Sequence, residues 1–196
     1  KISNWTLGTG KKLFAYTAFT NDTLAESPID SQGGFTLTLK TPAIDAMDSL
    51  NRFFDRTLTN NSASVQCADL IFTVTNDDNN LLGYVLNSTV LITGYAEGYC
   101  FIHYMYSTKA TTIIGTPIDY STINFRRSGK YDLKLTEGWN TWSFQITKYY
   151  EINNTVFIEY KIGNSDPLLV PWIYYNFKSK VNVDPKIDIN IHSPAK

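Results

Sequence analysis

The residues of this chain that could do chemistry are few, and histidine is the first class to weigh: His103 and His192 are the two present. His103 stands mid-strand in CFIHYMYS, where an imidazole satisfied by a neighbour is expected. His192 lies close to Pro194 near the C-terminus, a region prone to disorder. No serine occupies a Gly-x-Ser-x-Gly elbow, and neither an HExxH motif nor a phosphate-cradling glycine loop is present. A hydrolytic triad would have to be built on one of two imidazoles whose surroundings do not support it.

Carboxylates are placed by a fold rather than by sequence spacing, so a glycosidase pair is harder to dismiss. Glu97, Glu151 and Glu159 fall in strand or turn regions. Asp77-Asp78 sits in an Asn-rich turn and could offer oxygens to Ca²⁺, but it lacks the alternating order of a calcium loop and reads as a solvated turn. Cys67 and Cys100 have no Cys or His at ligand spacing, so a metal site is not expected. They form either one disulfide or two buried thiols. The sequence predicts no catalytic residue, no metal and no cofactor.

Aromatic residues are the richer class. Trp5, Trp139, Trp142 and Trp172 are joined by Tyr149-Tyr150 and Tyr174-Tyr175. A sugar's C–H face packs on an exposed ring, and a few polar neighbours then fix its orientation. In strand geometry Trp172 and Tyr174 share one face, so these two, with Trp139 at a turn, are the candidate ligand-binding residues. The competing reading is that the same rings fill a core, with Trp139 as a lid over one end. Trp142, in phase with Phe144 and Ile146, is assigned to the core.

The elements that must position these residues are organised around Tyr131 to Ile146, YDLKLTEGWNTWSFQI. Tyr131, Leu133 and Leu135 alternate with Asp132 and Lys134, and Trp142, Phe144 and Ile146 alternate with Ser143 and Gln145. Glu137-Gly138 supplies a turn, so the stretch predicts a hairpin. Elsewhere, strands are expected over 13–19, 35–39, 69–75, 81–86, 89–95, 99–107, 111–114, 118–125, 155–162, 168–177 and 187–191. Asn21 to Gly34 reads as a long loop.

One short packing helix is expected near residues 42–55, with Thr41 as N-cap and Pro42 at the first helical position. Ile44, Met47, Leu50 and Phe54 recur there at helical spacing. About ten short strands with one helix predict an all-β, antiparallel, jelly-roll-like β-sandwich, taken as a single domain over 1–196.

Composition agrees. Tyr 13 and Phe 11 against Met 2 favour strands, and a hydrophobic fraction of 43% supplies a core. With net charge −1 and no basic run, nothing would track a phosphate backbone, so nucleic acid is not an expected partner. Arg126-Arg127, the densest basic spot, reads as a solvated loop pair. No apolar run reaches the ~20 residues that span a bilayer. A chain that starts at Lys1 fits a mature form whose leader was removed, and a lipid-anchored cysteine could have stood upstream.

Tyr104-Met105-Tyr106-Ser107-Thr108-Lys109 and Leu133-Lys134-Leu135-Thr136-Glu137-Gly138-Trp139-Asn140 resemble motifs in small secreted or lipid-anchored proteins of gut Bacteroidetes. The resemblance covers Tyr99 to Ile146 and rests on turn and core positions, so it carries over no functional residue. It implies a β-sandwich at the periplasm or cell surface, with links to glycan capture or surface assembly. The resulting expectation is a non-enzymatic envelope protein that binds a ligand, a glycan first, through aromatic residues. The alternatives are an assembly protein docking another envelope protein and, more weakly, a carboxylate-based glycoside hydrolase.

Overall fold

The structure is a computed structural model and describes residues 1–54, 58, 64–89, 96–117, 120–122 and 124–176. Strands dominate: β1 (Lys11–Thr17), β2 (Thr23–Ile29), β3 (Asp48–Ser49), β4 (Gln66–Asn76), β5 (Leu81–Ser88) and β6 (Cys100–Ser107) come first. They are followed by β7 (Thr111–Gly115), β8 (Tyr120–Thr122), β9 (Phe125–Leu135), β10 (Gly138–Ile152), β11 (Thr155–Asn164) and β12 (Trp172–Asn176). All join one open sheet in the order β2-β1-β4-β5-β6-β10-β11-β9-β7, with β12 on β5, β3 on β4 and β8 on β9. Among these strand pairs only β9–β11 runs parallel.

The β4–β5 hairpin opens into a fork. Phe72 to Thr75 of β4 pair with β5, while Cys67 to Asp69 pair with β6. β5 in turn meets β6 at Asn87 and Ser88. One edge of β6 is therefore shared between two diverging strands.

Side-chain alternation puts apolar groups on both faces of the central strands. On one face Cys67, Met105 and Trp142 cluster with Leu133, Leu135, Tyr160 and Ile162 from the far strands, and Leu50, Phe54 and Leu58 close over them. On the other face Leu70, Phe72, Tyr104 and Trp139 cluster with Ile2, Leu13, Ala15 and Tyr174.

The expected hairpin is right in its turn and its alternation but wrong in its pairing. Gly138 takes positive φ, +97°, at the turn. β9 and β10, however, are not ladder neighbours, because β11 lies between them. Asn164, at the end of β11, fills the crotch: Lys134 N–H donates to its Oδ1 at 2.8 Å, and its Nδ2 donates to Lys134 O at 2.7 Å. Asn140 holds the turn itself, accepting from Thr136 N–H at 2.8 Å and donating to Thr136 O at 2.9 Å.

The helix expected near 42–55 is absent from the described part of that segment. Two single 3₁₀ turns, Ile44–Ala46 and Leu50–Arg52, flank β3 instead. Thr41 is not a cap; Ala43 and Ser49 hold those positions, and neither makes a side-chain capping bond. Asp48 and Ser49 pair with Cys67 and Gln66, and Ile44, the supposed start of the apolar stripe, is 70% exposed. Tertiary pairing to β4 overrides the helical spacing.

The supposed loop from Asn21 contains β2. Its Ala, Glu, Ser and Pro are weak strand formers, but β2 is an edge strand, where Pro28 is tolerated. Phe35, Leu37 and Leu39 do alternate inward, yet they form no strand. Arg126-Arg127 lies within β9, not in a loop. The end of the expected helix, most of the strand expected over 89–95, residues 118, 119 and 123, the strand at 187–191 and His192 lie outside the described residues. Among the described residues no helix is long and apolar enough to cross a membrane.

Gly83 lets β12 lie against β5, because a Cβ there would overlap the Tyr175 carbonyl and press on the Tyr174 ring. Gly83→Ala should therefore destabilise the protein by about 1–3 kcal/mol, read as a lowered urea midpoint. An unchanged midpoint would show that β12 is not seated there.

Candidate functional site

The three aromatic residues singled out from the sequence all sit in packed surroundings. Trp172 is half-buried, stacks on Tyr104 with centroids 5.4 Å apart, and meets Phe35 and Phe72 edge-on. Tyr174 is buried; it meets Trp5 edge-on, and its hydroxyl donates to Leu82 O at 3.0 Å. Trp139 packs against Tyr106, and its Nε1 is buried without a hydrogen-bond partner among the described residues. Tyr174 belongs to the second core, and Trp172 and Trp139 pack against it part-exposed.

The two cysteines are free thiols. Asp77-Asp78 occupies an exposed turn, as its composition suggested. His103 is buried: its Nδ1 lies 3.4 Å from Asp69 Oδ2, and its ring stacks flat on Trp142 at 3.8 Å. Among the described residues, Asp69 is its hydrogen-bond partner. The pair sits inside the fork, where β4 and β6 separate. It braces that opening.

A more open arrangement lies on the outer surface of β8, β9, β11 and β10. Its origin is a bulge. Along β10, Trp142, Phe144 and Ile146 face inward, and Ile146 is opposite Tyr160. The register then slips between Ile146 and Lys148, so Lys148 faces Glu159 and Tyr150 faces Phe157. One extra residue, Thr147, reverses which phase of the strand looks outward; its hydroxyl donates to Glu159 O at 3.1 Å.

Two transverse rows result. Tyr150, Phe157, Arg126 and Ser121 stand side by side across four strands. Lys148, Glu159 and Ser128 form the next row. The Tyr150 and Phe157 rings are stacked, 4.9 Å between centroids and 3° between planes. They border a cleft of about 290 Å³ whose polar lining includes Arg126, Ser128 and Glu159. Lys148 Nζ lies 3.0 Å from Glu159 Oε1. The hydrogen bond it donates to that carboxylate holds the Lys148 ammonium's pKa above its ordinary range. Arg126 is exposed and makes no side-chain hydrogen bond or ion pair among the described residues.

The surface offers a stacked aromatic pair, a cation and a fixed carboxylate within two rows. Glu151, one of the carboxylates weighed as catalytic, pairs with Val156 in the register between these outward residues and so belongs to the opposite face. The signal missed in the sequence is Lys148: continuing the Trp142–Phe144–Ile146 phase would have pointed a lysine into the core. No protein-family model matches the chain, and neither a search of curated proteins nor one of solved structures returns a match.

Two predictions follow from the buried groups. His103→Leu should cost about 3 kcal/mol or more, because it leaves the Asp69 carboxylate buried without its partner. Adding Asp69→Leu should recover at least half of that loss in urea unfolding; additive losses would mean that the two residues act separately.

Burial pushes the Cys67 thiol up to about 12, against the partial relief of its Ser107 hydrogen bond. The unfolded thiol ionises near 9.0. A raised folded-state pKa contributes stability that is whole below the unfolded value and is lost as pH climbs toward the folded one. Stability should therefore fall between pH 9 and about 12, and more gently in Cys67→Ala. Equal slopes in the two proteins would count against Cys67 as a source.

Proposed function

We propose that this chain is a non-enzymatic glycan-binding protein of the cell envelope, and that its site is the outer face of β8, β9, β11 and β10. The observation that carries this reading is the parallel, part-exposed Tyr150–Phe157 pair beside a cleft with polar side chains. The two rings cover one face of each other, and the outer face of the stack can take the C–H face of a sugar. Glu159 can accept from sugar hydroxyls, and Arg126 and Ser128 can donate to ring and hydroxyl oxygens. The aromatic surface expected from Trp172, Tyr174 and Trp139 is thereby moved to a different pair.

The envelope location rests on the resemblance of Tyr99 to Ile146 to exported proteins. A sandwich-like layout is part of the same proposal. It is supported by two cores on opposite faces of the central strands, one of them covered by β12 and the N-terminal segment.

A second reading, docking of another envelope protein by strand addition, is favoured by β7. Among the described residues this strand ends the sheet and pairs with β9 alone, and its Ile114 is 50% exposed.

A glycan array probed with the protein and with Tyr150→Ala tests the first reading. The expected result is binding to a restricted set of glycans, weakened about tenfold in Tyr150→Ala, as loss of one aromatic contact of ~1–1.5 kcal/mol would give. The variant's thermal midpoint should stay near the parent's. Binding unaffected by Tyr150→Ala would remove the site from this face. A blank array together with capture of an envelope protein through β7 would favour docking.

A further inference from the structure

Resting on that reading, we infer that the site takes an acidic glycan, one whose sugar rings carry carboxylates. The outer face of β9 presents Arg126, Ser128, Lys130, Asp132 and Lys134 in alternation with its inward residues. Lys161 of β11 stands beside Lys130, and Lys148 of β10 stands in the row of Glu159. Across the rows from Tyr150 to Lys130 the face carries Arg126, Lys130, Lys148 and Lys161 against Glu159, with Glu97 near enough to act on Lys148 and Asp132 in the row beyond. This positive field lies on a chain whose net charge is −1.

Glu159 is engaged by Lys148, which leaves Arg126, Lys130 and Lys161 without an ion pair among the described residues. All three are exposed. Side chains four apart on one strand are about 13 Å from one another, and neighbouring strands are about 4.8 Å apart. The cations thus extend past a single pyranose ring packed against the Tyr150–Phe157 stack, toward the next rings of a linear chain. Arg126 flanks Phe157 directly and suits bidentate capture of a carboxylate.

The central Glu159 decides between polyanions. A sugar chain brings hydroxyl donors as well as carboxylates, so a hydroxyl can satisfy Glu159 while the carboxylates meet the cations. A phosphodiester backbone has acceptors alone there and would set its charge against that carboxylate. The composition of the face selects the glycan.

The test is titration calorimetry with hexagalacturonate, its fully methyl-esterified form and an oligothymidylate. The acid should bind about tenfold or more tighter than the ester, and its affinity should fall as salt rises. Arg126→Gln should weaken the acid about tenfold and the ester by a smaller factor, while Tyr150→Ala should weaken both. If acid and ester bind equally and both depend on Tyr150, the acidic preference is overturned and the glycan reading stands. If the acid binds with no dependence on Tyr150, the glycan reading fails at this face and the inference with it. Tighter binding of the oligothymidylate, or no binding of the acid, overturns the inference.

Discussion

β4, β6 and β10 carry apolar side chains on both faces, so two cores must be closed on opposite sides of one sheet. Strands buried on both faces have no solvent to satisfy their amides, and their ladders must be complete or bridged by side chains. This constraint shapes the irregular places. Where β4 leaves β6, the opening is filled by Asp69 and His103 stacked under Trp142. Where β5 meets β6, the Asn87 side chain donates to the Tyr104 hydroxyl and to Pro167 O. Where β9 and β10 splay, Asn164 supplies two hydrogen bonds to Lys134 that no neighbouring strand could. Of these three, Asn164 bridges strand backbone directly, while Asp69 with His103 and Asn87 with Tyr104 fill their openings side chain to side chain.

The same economy produces the outer face. β10 is 15 residues long and begins as a central strand under a core. Past Ile146 it runs beyond the first core, and the bulge at Thr147 turns its even-numbered side chains to solvent. Without the slip, Lys148 and Tyr150 would point to the side where Ile146 and Tyr160 pack, and the aromatic pair with Phe157 could not form. The bulge keeps Ile146 and Ile158 together on the buried side while it turns Lys148 and Tyr150 onto the proposed binding face.

Much of the strand content was legible because alternation is a local property. Leu133 and Leu135, or Trp142 and Ile146, announce an inward face whatever their partners are. Partner choice is not local, which is why a turn as clear as Glu137-Gly138 led to a ladder that β11 in fact interrupts. The segment at 42–55 failed for the same reason in reverse: helical spacing of Ile44, Met47, Leu50 and Phe54 was real, but β4 offered Asp48 and Ser49 a pairing edge. β2 was hidden by Pro28 and its small residues, since an edge strand need not look like a strand. At the site, ring-rich PWIYYN drew attention because exposure cannot be read from composition; Trp172 and Tyr174 have the residues of a sugar platform and the surroundings of a core. Tyr150 and Phe157 become a pair only through the β10–β11 register.

What makes that pair suited to recognition is the rigidity beneath it. β11 is tied to β10 on one side and to β9 on the other, so the residues of the face are held by two ladders. Below the sheet, Tyr160 lies over Gly129, where a Cβ would collide with its ring, and the Arg127 guanidinium sits 5.5 Å from that ring's centroid. The inner side of β9 is thus packed by an aromatic ring while its outer side carries Arg126 and Ser128. Lys148 and Glu159 fix one another across the strands in the same way. Exposed ion pairs of this kind add little stability, but they orient a carboxylate. A ligand meeting such a surface orders few protein groups on binding, and the entropy that flexible loops would forfeit is already lost in folding.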